Sequence, residues 1–208
     1  MEIEQALEVV CYPMEIGLNK VIGDESEFPA EHRLFNIVLL IGMLLAVVNG
    51  IFNYCMGLGI AITSICFLCS IIFAIFYYIS IVKKKYSTSI VILISMCVFF
   101  IIPGIWIVNG GILGGTTLFV VLTASVIPSL LSGLRRLILF SCLVIVTLAL
   151  IIIEYNYPLV ITGYTSDVQR YLDVAFSLMC IMIANASLLM VVRNYYMKEY
   201  QRSRDYQV

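Results

Sequence analysis

The chain has 208 residues, 62% of them hydrophobic and only 12% charged, with a net charge of −1 and a mean hydropathy of +1.06. A soluble domain of that size cannot hide so much apolar surface. So small a net charge gives no electrostatic basis for nucleic-acid binding, and the expected surroundings are membrane lipid.

Residues 1–30 form an acidic N-terminal segment. Met1–Glu31 carries eight acidic residues and lacks the basic start and apolar core of a secretory signal. Ile3, Ala6, Leu7, Val10 and Cys11 fall on one helical face. That face suits either an amphipathic helix on the inner leaflet or packing against a bundle, and the acidity favours packing. Gly23 and Pro29 break the segment before the first apolar run.

A bilayer's hydrocarbon core is about 30 Å thick, and roughly 20 helical residues cross it. Six runs qualify: Phe35–Tyr54, Gly59–Val82, Ser87–Val108, Thr116–Leu134, Leu137–Ile153 and Tyr171–Val192. They are continuous rather than alternating, which predicts helices and not a barrel. Eleven of the 12 Lys and Arg residues fall on one side if the N-terminus is cytoplasmic, and Arg170 alone falls on the other. The expected fold is therefore an all-α integral membrane protein: a six-transmembrane-helix bundle over 31–192, both termini cytoplasmic, with short outer loops.

In the first span Gly42, Ala46 and Gly50 lie one turn apart and invite close helix approach. Asn49 and Asn53 share a face near its outer end, where amides serve as interhelical hydrogen-bond partners or touch a ligand. Cys66 and Cys69 form a C-x-x-C in mid-span without histidines, which reads as packing. In the third span Pro103 should free a carbonyl and bend the helix, and Trp106 should anchor at the interface. Pro128 marks a similar bend in the fourth.

Between those spans runs Asn109-Gly110-Gly111-Ile112-Leu113-Gly114-Gly115-Thr116. Four glycines permit a tight turn that leaves backbone N–H groups free for an anion or a carboxylate. The last outer loop should face it with Tyr155, Tyr157, Tyr164, Asp167 and Arg170. Rings with a few polar groups line small-ligand pockets; an aromatic belt over a tight turn is the plainer alternative. Asp173, close to the start of the last span, should reach the interface. The candidate ligand-binding set is thus Asn49, Asn53, Trp106, Asn109, Gly110, Gly111, Gly114, Gly115, Thr116, Tyr155, Tyr157, Tyr164, Asp167, Arg170 and Asp173.

No helix breaker follows the sixth span, so its helix should continue into residues 193–208 as the start of a cytoplasmic signalling helix. Arg193, Tyr196 and Tyr200 are candidates for signal transmission. Val192, Tyr196, Tyr200 and Ser203 could seed a homodimer seam, though two heptads are not present. His32, the single histidine, should be solvated or touch headgroups at the inner interface. No catalytic triad or metal-ligand cluster is visible, so neither an enzyme site nor a cofactor is expected.

Three stretches carry a family resemblance: Glu31-His32-Arg33-Leu34-Phe35-Asn36, Pro103 through Gly115, and Glu154-Tyr155-Asn156-Tyr157-Pro158-Leu159-Val160 followed by Asp173. Over roughly residues 31–195 the chain resembles the multi-pass N-terminal membrane regions of bacterial sensor histidine kinases and diguanylate cyclases. The resemblance implies a sensor in the bacterial inner membrane. It would detect a small or lipid-borne ligand and signal as a homodimer to an effector domain beyond Val208. A small transporter or channel subunit and a membrane assembly partner are the alternatives.

Overall fold

The computed structural model describes residues 21–24 and 26–205, with backbone only at 198, 199, 202, 203 and 205. The amphipathic stretch expected within residues 1–20, and the Ser203 side chain, lie outside the described residues. The described chain is helical throughout, without strands. Its helices are α1 Ala30–Cys55, α2 Ile60–Lys83, α3 Tyr86–Val108, α4 Thr116–Leu130, α5 Gly133–Asn156 and α6 Asp167–Asp205. Short connections make sequence neighbours antiparallel.

Five of these helices are long and apolar enough to cross a membrane; α4, at 15 residues, is a shorter apolar helix. Large apolar side chains such as Leu44, Ile71, Phe100, Leu148 and Ile183 are exposed on the outer faces. Water would not tolerate that surface, whereas lipid covers it without cost. The core runs through the middle of the bundle, from Phe35 and Leu39 on α1 to Val98, Ile102 and Trp106 on α3 and Leu139, Leu143 and Leu150 on α5.

The small residues of α1 do admit a close neighbour. The ring of Phe73 lies over Gly42 and that of Phe67 over Gly50, so α1 and α2 pack along their lengths. Several helix limits differ from the apolar runs. The fourth run stops at Leu130 instead of Leu134, because Leu131 and Ser132 are extended and Gly133 is left-handed at φ +60°. Leu134 therefore belongs to α5, which starts four residues ahead of its run. α6 starts at Asp167 and continues unbroken for 39 residues.

In α3 the turn Cys97–Ile101 is π-helical, and the Ile102 N–H reaches back to the Cys97 carbonyl. Pro103 has no N–H to offer, and the wider turn just ahead of it accommodates the lost bond.

At the end of the bundle near Lys83–Lys85, His32 is buried, not solvated as expected from its neighbours. Its Nε2 lies 2.7 Å from Ser80 Oγ, its ring stacks on Tyr86 with centroids 4.5 Å apart, and Ser80 Oγ donates to Asn36 Oδ1. Because that hydroxyl proton points at Asn36, His32 Nε2 is the donor toward Ser80. Asn36 Nδ2 donates to Ile22 O at 2.9 Å, and Ile22 and Phe28 are buried. The tail of the N-terminal segment thus packs on the bundle.

Candidate functional site

The opposite end of the bundle is organised by the glycine turn. Gly110 and Gly111 take positive φ angles of 74° and 58°, and Gly111–Leu113 forms one 3₁₀ turn. The Gly110 N–H donates to Thr162 O at 3.0 Å, and the Thr162 N–H to Ile107 O at 2.8 Å. The turn therefore faces the last loop as expected, but through residues 161–164 and not through Tyr155–Pro158.

The turn's N–H groups do hold carboxylates, and both are the chain's own. Glu154 accepts the Trp106 indole N–H at 2.7 Å and the Ile112 N–H at 3.0 Å on Oε2. Asp173 Oδ2 accepts Tyr164 OH at 2.6 Å, Asn109 Nδ2 at 3.2 Å and the Gly115 N–H at 3.2 Å. The glycines make these approaches possible: a Cβ on Gly111 would fall 2.2 Å from Glu154 Oε2, and one on Gly115 2.4 Å from Ser177 Oγ. Burial pushes the Tyr164 phenol well above its ordinary pKa, and the Asp173 carboxylate beside it adds to the rise.

Directly beneath this network lies an elongated cavity between α1, α2, α3, α4 and α6. Its accessible volume is about 160 Å³. Asn49, Asn53, Asn109, Thr116, Asp173 and Ser177 line it at the glycine-turn end. Apolar residues line the remainder, among them Leu45, Phe73, Ile94, Val126, Ala184 and Leu188. Concave, apolar space with a few convergent polar groups is the usual form of a small-molecule site.

Two polar atoms at that end lack hydrogen-bond partners among the described residues: Asn53 Oδ1 and Thr116 Oγ1, on side chains that are 3% and 0% exposed. A buried polar atom left unpaired costs about 1–3 kcal/mol, so such atoms cluster where something else supplies the bond. Asn49 differs: its Nδ2 donates to Leu45 O in its own helix at 2.8 Å. The Asn53 amide reaches across to Cys66 Sγ on α2 at 3.5 Å.

Several candidates stand elsewhere than expected. Trp106 is no interfacial anchor; it is 1% exposed and bonded to Glu154. Asp173 does not reach outward; it sits in the second turn of α6 and is 2% exposed. Tyr155 and Tyr157 are 85% and 66% exposed and do not join the site. Asp167 and Arg170 pair with each other at 3.0 Å and, with Gly110 and Tyr164, edge a second, shallower pocket in the loop. Arg193, Tyr196 and Tyr200 are exposed, and it is the neighbouring Tyr195 ring that lies 6.0 Å from the Arg33 guanidinium carbon.

Ser177, the bonding role of Glu154 and the apolar wall were not foreseen. One signal was available: an acid at the edge of a long apolar run is costly unless paired, and Glu154, just past the fifth run, and Asp173, just inside the sixth, are both in that position. Among the described residues no three His, Cys, Asp or Glu side chains gather closely enough to hold a metal ion. Comparison of the chain with family models, with curated proteins and with solved structures finds no match.

Proposed function

We propose that this chain is the membrane sensor module of a bacterial signalling protein. It crosses the membrane six times with both termini cytoplasmic. It takes a small or lipid-borne ligand in the cavity and reports occupancy through α6, as a homodimer, to a cytoplasmic effector of the histidine kinase or diguanylate cyclase type.

The observation that carries this reading is the course of α6. It bears Asp173 at the polar end of the cavity, Ala184 and Leu188 on the wall, and Tyr195 beside Arg33 of α1, without a break. The 22 residues from Asp173 to Tyr195 span about 33 Å of rigid helix, the distance from one membrane face to the other. A shift at the glycine turn is therefore delivered at the far end by the same element. The 11-to-one distribution of basic residues and the resemblance of residues 31–195 to bacterial sensor regions support the orientation and the signalling role. A ligand changes output only by preferring one arrangement of α6 over another.

The test places an environment-sensitive fluorescent amino acid at position 196 and reconstitutes the protein in lipid nanodiscs. Wild type is compared with Asp173→Asn, which weakens the upper anchor of α6, and with Ala46→Phe, which fills the cavity. A change in emission with either variant supports coupling along α6. An emission unchanged in both would end the sensor reading.

A further inference from the structure

Resting on the sensor reading for its use, we infer that the cavity takes a single-chain amphiphile with an uncharged or cationic, hydrogen-bond-donating head. This is the class of long-chain alcohols and amines. The head sits at Asn53, Thr116 and Asp173, and the tail runs toward Leu188.

The length of the cavity calls for a chain. Its lining extends from Asn53 to Val38 on α1, from Thr116 to Leu130 on α4 and from Asp173 to Leu188 on α6. Those 14 or 15 residues correspond to about 22 Å on each helix. A lipid acyl chain occupies half of the hydrocarbon core of about 30 Å, so a whole chain fits along the wall. The polar lining is confined to one end, apart from Thr123, whose hydroxyl is bonded to Phe119 O of its own helix at 2.9 Å.

The chemistry at the polar end selects the head. Among the described residues Asp173 is the one acid in the lining, and no Lys, Arg or His contributes. Carboxylate or phosphate heads would meet a like charge in surroundings of low dielectric. All three donors to Asp173 fall on Oδ2, which leaves Oδ1 without a bond among the described residues. Asn53 Oδ1 can only accept, and Thr116 Oγ1 can do either. An ammonium group, with three donors, satisfies all three; a hydroxyl, with one, satisfies Thr116 and one of the two oxygens that only accept; an acceptor-only head satisfies at most the threonine.

The test uses hexadecylamine carrying a diazirine in its tail, photolysed with the protein in phosphatidylcholine nanodiscs, with labelled peptides identified by mass spectrometry. Label is expected within 38–53, 116–130 and 173–188. Excess hexadecylamine or hexadecanol should compete it away, and palmitate or hexadecane should not. Thr116→Val removes the unpartnered hydroxyl at constant shape, so its melting temperature holds or rises while labelling falls about three- to ten-fold.

Competition by palmitate equal to that by hexadecylamine would overturn the head assignment and leave the sensor reading intact. Undiminished labelling in Thr116→Val, with its fold verified by melting, would overturn the placement of the head. Label spread over lipid-facing peptides, insensitive to every competitor, would remove both the inference and the ligand on which the sensor reading depends. Should Thr116→Val not fold, the wild-type competition series decides alone.

Discussion

The hydroxyl of Tyr164 donates to Asp173 Oδ2 at 2.6 Å, joining the last loop to the helix that follows it. Asn109 and Gly115 bond the same oxygen, so one carboxylate gathers the end of α3, the start of α4, the loop and α6. Few single atoms in the bundle tie together so many segments.

Removing that carboxylate should therefore loosen the whole glycine-turn end. Asp173→Ala leaves the buried Asn109 Nδ2 and Gly115 N–H without an acceptor, and Tyr164 with only its longer bond to Asn109 O at 3.3 Å, so at about 1–3 kcal/mol for each buried donor a loss of at least about 2 kcal/mol is expected. Asp173→Asn preserves the shape and one acceptor oxygen and should cost less. Thermal unfolding in nanodiscs measures both. Equal stability of Asp173→Ala and wild type would contradict the bonding described here.

Glycine at 111 is required where glycine at 104 is not. Gly111→Ala must hold φ near +58° and push Glu154 off the Trp106 indole. The backbone penalty alone is about 1–2 kcal/mol. Trp106 is the single tryptophan, so its emission reports the broken bond directly. Gly104, inside α3, has open space around the position a Cβ would take. Gly104→Ala should leave emission unchanged and stabilise by about 0.5–1 kcal/mol.

The phenol of Tyr164 gives the site an alkaline limit. Its pKa is raised in the folded protein, so its contribution is complete below the ordinary tyrosine value of about 10 and is lost as pH climbs from there toward the folded value. Wild-type stability should consequently fall above about pH 10 more steeply than that of Tyr164→Phe. Below that pH the variant should be uniformly weaker by about 1–2 kcal/mol. Parallel curves for the two proteins would mean that Tyr164 does not titrate as described.

Apolar length alone located the helices, because a helix buried in lipid needs no pattern beyond sustained hydrophobicity. Their ends were less legible. Leu131-Ser132-Gly133 looks continuous with the apolar run, and only the left-handed Gly133 divides it into two helices. Within the site, Asn53, Asn109, Thr116, Tyr164 and Asp173 were readable because polar groups are sparse near these spans. Tyr155 and Tyr157 were misplaced because a tyrosine serves equally well at an exposed boundary and in a pocket. His32 was misplaced because its sequence neighbours are charged, whereas its actual partners, Ser80 and Tyr86, lie about fifty residues away. Nothing local in the chain encodes such pairs.

The π-helical turn of α3 has a consequence for alignment of its faces. Ile90, Ile94, Val98, Ile102 and Trp106 are all buried, at intervals of four residues. In a regular α-helix each such step rotates about 40° past a full turn, so the last residue would stand about 160° from the first, pointing out of the bundle. The widened turn Cys97–Ile101 absorbs one residue, about 100° of that drift. It works as a gear tooth between the two halves of the helix. Deleting one residue there would close the turn to a regular helix and keep both halves seated, whereas regularising it with the residue retained would swing the indole of Trp106 by about 100°, away from Glu154.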